Sequence, residues 1–173
     1  MTMTNSLKLI AQQALILIFF LGLLMANLLP SWSLLGVAPN FMSVIIYLWA
    51  VYRPDLTSRR LYIILGLTRD GLFGYPMGMS VFEILLIVSI TNLLRRYVLG
   101  KSYWVIFLGY GIFSILSHSL IWGILSWVKG TVLPYEIVLK TTLLNMLIYP
   151  LMCQLSIYVQ GRIDALEEWK SSF

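Results

Sequence analysis

Charged residues are scarce in this chain. Of its 173 residues, 11% are Asp, Glu, Lys or Arg, whereas 60% are hydrophobic and the mean hydropathy is +0.87. A soluble fold of this size buries its apolar residues in one core and covers the outside with charge, whereas a membrane protein also places apolar residues against lipid. The scarcity of charge therefore excludes an ordinary soluble domain and predicts an integral membrane protein.

Cysteine and histidine are almost absent. The single cysteine, Cys153, cannot form an intrachain disulfide, and we interpret it as packing within the last apolar run. The single histidine, His118, excludes a multi-histidine metal site, and we expect it to form a structural hydrogen bond because no proton-relay partner lies on its helix. No HExxH, CxxC, phosphate-binding loop or Gly-x-Ser-x-Gly motif occurs. The sequence predicts a protein that is not an enzyme and holds no metal or cofactor.

Long apolar runs give the number of helices. About 20 apolar residues cross the hydrocarbon core of a bilayer. Residues 9–52 carry no charge and are interrupted by PSWSLLGVAPN, which indicates two helices, and the segment between Arg60 and Arg95 indicates a tight hairpin or a re-entrant pair. We therefore predict an all-α integral membrane bundle over residues 1–162, followed by a short tail over 163–173. Its six helices are expected at 9–29, 40–52, 58–75, 79–97, 103–128 and 135–160.

Basic residues fall unevenly on the two sides of such a bundle. With the N-terminus in the cytoplasm, nine lysines and arginines lie on the cytoplasmic side and three, Arg69, Lys129 and Lys140, lie on the other. The positive-inside rule then predicts a multi-pass protein with both termini in the cytoplasm. Because the net charge of +5 is dispersed between apolar runs, we do not expect nucleic-acid binding.

The stretch GLTRDGLFGYPMG at residues 66–78 places an arginine and an aspartate among glycines and a proline. Glycines let another backbone approach closely, and proline bends or ends a helix. The stretch therefore predicts a broken, closely packed helix near the outer leaflet. Its candidate site residues are Gly66, Asp70, Gly74, Pro76 and Gly78.

Two interpretations of Asp70 remain open from the sequence. In the first, Asp70 caps backbone amides exposed by the glycines, and Arg69 extends toward the membrane surface. In the second, Asp70 and Glu83 form an internal polar cluster with a basic partner such as Arg69 or Lys140. Adjacent residues on a helix do not face each other, so a direct pair between Arg69 and Asp70 is not expected.

Two further features belong to the last helix. Glu136 and Lys140 have the i, i+4 spacing of a surface ion pair. Asn145 could hydrogen-bond to another helix or satisfy backbone groups near Pro150, which is expected to kink the helix.

Several of these motifs together resemble the rod shape-determining protein MreD family. The pattern Gly-Leu-x-x-Asp-x-x-x-Gly-x-Pro-Met-Gly at 66–78 is similar to the central motif of that family. Three more elements follow the family's order: Pro39-Asn40, Arg53-Pro54, and Asn145 with Tyr149-Pro150. The resemblance covers about residues 9–162 and adds Pro39, Asn40, Asn145 and Pro150 to the candidate site residues. Two features depart from it, namely the charge at Arg69 and the acidic tail DALEEWKSSF.

The resemblance implies a non-enzymatic inner-membrane subunit of the bacterial elongation machinery, needed for rod shape. Proteins similar to this one work with the scaffold MreC, the filament protein MreB, and the peptidoglycan synthase pair of RodA and a class B penicillin-binding protein. The family is also similar in fold to the substrate-binding subunits of energy-coupling-factor transporters.

Two functions follow from these expectations. The first is a membrane adaptor, in which the glycine and proline motif shapes a surface or pocket that holds a partner's helix. The second is a subunit that binds a small molecule or a lipid-linked precursor, with Asp70, Glu83, Asn145 and His118 lining a cavity. A proton-coupled carrier is disfavoured because the chain has few intramembrane carboxylates.

Overall fold

The computed structural model describes residues 3–29, 36–56, 58–98 and 100–171. These residues form helices and their connections, and no strand occurs among them, which confirms the expected all-α class for the described part of the chain. A short 3-10 turn, Pro54–Leu56, follows the second helix. The helices are α1 (Met3–Asn27), α2 (Phe41–Tyr52), α3 (Arg59–Phe73), α4 (Met79–Val98), α5 (Tyr103–Lys129) and α6 (Glu136–Ser171).

Helix α2 lies at the centre of the bundle. Every residue from Phe41 to Val51 is buried, because α1, α4 and α6 pack around it. Its sequence is apolar on all sides, as expected for a helix surrounded by others. Trp49 shows how tightly it is held: the ring packs against Phe19 and Phe20 of α1, and its Nε1 donates to Ser156 Oγ of α6 at 2.9 Å.

Helices α5 and α6 expose much of their apolar surface. Both are long and apolar enough, by length and composition, to cross a membrane. On α5 an exposed apolar stripe repeats every four residues, at Leu108, Ile112, Leu116 and Leu120. The finding for the described residues is therefore an all-helical fold in which two helices have the length and composition of membrane spans.

Helices α2 and α3 are shorter than a full span. They contain 12 and 15 residues, which at 1.5 Å per residue gives lengths of about 18 and 22 Å against a hydrocarbon core of about 30 Å. Helix α4, with 20 residues, reaches about 30 Å.

Helix α6 is longer than the sequence indicates. We expected the last helix to end near residue 160 and residues 163–173 to form a tail, but α6 continues to Ser171. The last two positions of the expected tail, 172–173, lie outside the described residues. Ile163 is fully buried, and Asp164 pairs with Arg53 at the end of α2. Pro150 lies inside α6, and the helix continues on both sides of it.

Candidate functional site

Asp70 joins the end of α3 to the start of α4. Its carboxylate accepts hydrogen bonds from the backbone N–H groups of Gly78 at 2.8 Å and Ser80 at 2.9 Å. Its main-chain carbonyl accepts from the N–H groups of Gly74 and Tyr75, which closes α3. Amides at the first turn of a helix have no partner within the helix, and a carboxylate there is favoured by the helix dipole. Asp70 is therefore a cap for α4 supplied by the preceding helix, as in the first interpretation of this residue.

Gly66 is the point of closest contact between α3 and α4. A Cβ built on Gly66 would lie 2.7 Å from the backbone N and Cα of Val81, so the two helices touch backbone to backbone. Gly71, on the same helix, is exposed, and a Cβ there would meet nothing within 4 Å. Of these two glycines, only Gly66 serves close packing.

The turn between α3 and α4 uses the remaining residues of the motif. Gly74 and Gly78 have φ angles of 65° and 93°, which side chains rarely adopt. Pro76 is exposed, and its carbonyl accepts from the N–H of Met79 at 3.1 Å. The motif thus forms a tight helical hairpin turn whose shape depends on glycine at two positions.

A buried ion pair lies next to this turn. Arg69 Nη1 is 2.6 Å from Glu83 Oε2, and the two residues are only 8% and 2% exposed. The other oxygen of Glu83 accepts from Asn40 Nδ2 at 3.0 Å. Arg69 therefore does not extend toward the surface but supplies the basic partner that the second interpretation requires. Lys140 instead pairs with Glu136 on the exposed side of α6.

Asn40 connects this ion pair to further helices. Its backbone N–H donates to Asn145 Oδ1 of α6 at 2.7 Å, and its Oδ1 accepts from the N–H of Ser43, which caps α2. The hydroxyl of Ser43 lies 3.1 Å from that of Tyr110 on α5. We call the linked side chains of Arg69, Glu83, Asn40 and Asn145 the polar network. Together with Ser43 and Tyr110, the polar network connects five helices, α2, α3, α4, α5 and α6. A change at one member therefore affects the packing of several helices.

A cavity of about 240 Å³ opens beside the polar network. Asn40, Arg69 and Glu83 form part of its wall, and Pro39, Tyr75, His118 and Trp122 line it as well. Asn27 Oδ1, also in a residue of the wall, is buried and has no hydrogen-bond partner among the described residues. The cavity thus combines aromatic surface and a buried ion pair, and its wall includes a residue whose buried acceptor has no partner among the described residues.

The cavity contains two of the four residues that we expected to line one. Glu83 and His118 line the wall, whereas Asp70 and Asn145 do not. Asp70 instead caps α4, and Asn145 accepts a hydrogen bond from the backbone of Asn40, which does line the wall. His118 Nδ1 lies 2.6 Å from the carbonyl oxygen of Ser114 on the preceding turn, a local structural hydrogen bond. Pro150 is not among the residues of the wall.

Two residues of the cavity wall, Asn27 and Trp122, are not among the site residues expected from the sequence. Asn27 ends the long apolar run of α1, and a polar residue at that place is a weak signal because helix ends often carry one. Trp122 could not be told from the other tryptophans near helix ends.

A second ionic cluster lies at the opposite end of α2. Arg53 bonds to Asp55 in the following turn and to Asp164 of α6, and Arg95 Nε donates to the carbonyl of Val51 at 2.8 Å. The hydrogen bonds that Arg53 donates to the carboxylates of Asp55 and Asp164 raise the pKa of Arg53. Burial acts to raise the pKa of the Asp55 carboxyl, but hydrogen bonds from Arg53 lower that pKa below its usual value. This cluster accounts structurally for the arginine of the Arg53-Pro54 pair.

In the described part of the chain, no group of three or more His, Cys, Asp or Glu side chains is arranged to hold a metal ion. No protein-family model, curated protein or solved structure matches the chain. The resemblance to the MreD family therefore rests on the motifs alone.

Proposed function

We propose that this chain is a six-helix protein of the bacterial inner membrane that acts as a non-enzymatic subunit of the cell-wall elongation machinery. In this role it holds an MreC-type partner, and through it works with the peptidoglycan synthases RodA and a class B penicillin-binding protein and, indirectly, with MreB. The observation that carries the proposal lies at one end of the bundle, where the motif that resembles MreD forms a capped hairpin turn beside a cavity.

The membrane placement is supported by the apolar surface. Large hydrophobic side chains are exposed along α5 and α6, and a soluble monomer rarely leaves such continuous apolar surface in water. The uneven distribution of lysine and arginine supports an orientation with the cavity on the outer side and both termini in the cytoplasm.

The orientation can be tested by labelling single cysteines in a Cys153→Ser background. Met77→Cys lies in the α3–α4 turn, and Lys101→Cys lies in the connection between α4 and α5. In spheroplasts a membrane-impermeant maleimide is expected to label Met77→Cys, and to label Lys101→Cys only after lysis. Equal labelling of both sites before lysis would contradict the proposed orientation.

The adaptor role is supported by apolar side chains around the cavity end. Met77 in the α3–α4 turn and Val132 in the α5–α6 connection are 78% and 83% exposed. Exposed apolar residues beside a cavity are typical of surfaces that bind another protein. A partner segment seated here would cover both residues and place a side chain in the cavity.

In-membrane photocrosslinking tests this role. A photoreactive residue is placed at Met77 or Val132, with Leu116 on the exposed stripe of α5 as the matched control. Capture of an MreC-like protein from the two cavity-end positions but not from Leu116 is expected, with the captured species identified by mass. If all three positions capture the same species, or the two cavity-end positions capture no protein, the adaptor proposal fails.

The cavity itself favours a second candidate function, a subunit that binds a small molecule or lipid precursor as in energy-coupling-factor transporters. The walls combine aromatic and polar groups, and they include Asn27, whose Oδ1 has no hydrogen-bond partner among the described residues. If this function is correct, a small molecule co-purifies with the chain. Ala38→Phe, which fills the cavity from its wall, should then abolish its retention. Capture of a protein partner with no co-purified molecule would eliminate this candidate.

A further inference from the structure

A separate groove lies between α1 and α3, at the end of α3 away from the cavity. It has a volume of about 810 Å³. Helix α1 packs mainly on α2 and only lightly on α3, which leaves this space between them. Its walls are apolar, formed by Ile16 and Leu17 of α1 and by Leu61 and Ile64 of α3.

The mouth of the groove is basic. Arg59 and Arg60 line it and are exposed, and neither forms an ion pair or hydrogen bond with a side chain in the described part of the protein. Asp55 is the carboxylate that also lines the mouth, but Arg53 binds it at 3.1 Å. The two arginines therefore present positive charge that the described residues leave unbalanced.

The backbone adds to this charge. Arg59 begins α3 and lines the mouth together with Ser58 and Arg60, so the first amides of the helix lie at the mouth, where anions are favoured. Ser58 Oγ accepts from the N–H of Leu61, which satisfies one of these amides, and the carbonyl of Ser58 accepts from the N–H of Tyr62. The amides of Arg59 and Arg60 have no partner among the described residues.

We propose that this groove binds one anionic phospholipid. The phosphate lies between Arg59, Arg60 and the first amides of α3, and an acyl chain follows the apolar walls. A phosphate is a strong acceptor for arginine, and basic pockets between helices on the cytoplasmic side of a membrane are suited to anionic head groups. The inference rests on the membrane orientation proposed above, which places Arg59 and Arg60 at the cytoplasmic leaflet, but not on the identity of any protein partner.

Charge and shape make separable contributions to this site, so three variants define it. Arg59→Gln with Arg60→Gln removes the charge. Ala14→Phe keeps both arginines and fills the groove from α1, where Ala14 is an exposed part of the wall. Arg96→Gln with Lys101→Gln removes the same charge from the same proposed side of the membrane at residues outside the groove.

The test is native mass spectrometry of the full-length chain in detergent, with phosphatidylglycerol and phosphatidylethanolamine of identical acyl chains. The wild-type protein is expected to retain one phosphatidylglycerol in preference to phosphatidylethanolamine. Loss of both arginines should weaken that retention roughly 30-fold, since each basic residue near an anionic lipid contributes about one factor of five. Ala14→Phe should abolish it, and the double variant at Arg96 and Lys101 should retain it fully.

The proposal is overturned by equal retention of the two lipids, by full retention in Ala14→Phe, or by equal losses in the two charge-removing variants. Helical content measured by circular dichroism verifies that each variant folds. If the variant without Arg59 and Arg60 does not fold, lipid retention by Ala14→Phe tests the proposal instead. Lipid retention and partner capture from Met77 are independent readouts, so the failure of one is distinguishable from the failure of the other. If the wild-type chain does not remain in carbonate-washed membranes, both proposals fail together.

Discussion

The contact between Gly66 and Val81 makes a quantitative prediction about the α3–α4 hairpin. In Gly66→Ala the new Cβ would lie 2.7 Å from the N, Cα and Cγ2 atoms of Val81. Because two of these atoms are backbone, a change of side-chain rotamer cannot relieve the contact, and the helices must move apart. Such overpacking typically costs about 1–3 kcal/mol.

Gly71→Ala is the matched control for this change. It makes the same substitution on the same helix, where the Cβ meets open space. Both substitutions gain the helix preference of alanine over glycine, about 0.5–1 kcal/mol. Gly71→Ala should therefore be at least as stable as the wild type. The difference in unfolding free energy between the two variants isolates the steric cost, expected at about 1–3 kcal/mol.

The assay is unfolding of the purified chain by a denaturing detergent, followed by circular dichroism. Val81→Ala provides a second comparison, because it removes Cγ2 but leaves N and Cα at the same distance from the new Cβ. The double variant Gly66→Ala with Val81→Ala should therefore stay less stable than Val81→Ala with Gly71→Ala. Equal stability of Gly66→Ala and Gly71→Ala would refute the backbone contact between α3 and α4.

Three further predictions use the same unfolding assay. Asp70→Ala removes a carboxylate that accepts from the amide of Gly78, just before α4, and from that of Ser80 in its first turn. This change is expected to cost about 1–3 kcal/mol, and unchanged stability would show that Asp70 is not the cap. Glu83→Leu leaves Arg69 buried without its partner and is expected to lower the free energy of unfolding by about 3–5 kcal/mol. The double variant Glu83→Leu with Arg69→Met should restore most of this loss. A double variant no more stable than Glu83→Leu would contradict this prediction. Burial acts to raise the pKa of Asp55, but hydrogen bonds from Arg53 outweigh it and lower that pKa. The pair of Arg53 and Asp55 therefore stabilises the fold above the unfolded pKa of about 3.9. This stability is lost as the pH falls through the folded pKa. Arg53→Gln should therefore flatten the acid side of the stability profile, and an unchanged profile would refute the pairing.

The hairpin turn was predictable from the sequence because its causes are local. Glycine and proline act on the backbone of their own residues, so GLTRDGLFGYPMG indicates a broken helix without any tertiary information. Asp70 as a cap was also within reach, because the amides that it accepts from lie only eight and ten residues away at Gly78 and Ser80. The sequence could not choose between this interpretation and an internal cluster, and the structure contains elements of both.

The partners within the polar network were not predictable. Arg69 and Lys140 were both named as possible basic partners of the cluster, and the packing of α3 on α4 pairs Arg69 with Glu83. Asn40 and Asn145 are 105 residues apart, so nothing in either local sequence indicates that one will donate to the other. A long sequence separation also explains why a tail was expected at 163–173 where α6 continues. Asp164 pairs with Arg53, which is 111 residues away, so the local sequence does not indicate the contact.

The buried pair of Arg69 and Glu83 separates a structural role of the polar network from a functional one. Burying two charges costs several kcal/mol, and an apolar pair of similar volume is often as stable, so stability alone is a weak reason to have such a pair. Both residues also line the cavity, where a bound segment or molecule would meet their charges. The variant with Arg69→Met and Glu83→Leu keeps the packing and removes the charges. If this variant unfolds like the wild type but loses partner capture at Met77, the charges belong to the binding site. If capture persists, the pair serves the fold, and the exposed apolar residues Met77 and Val132 bind the partner without it.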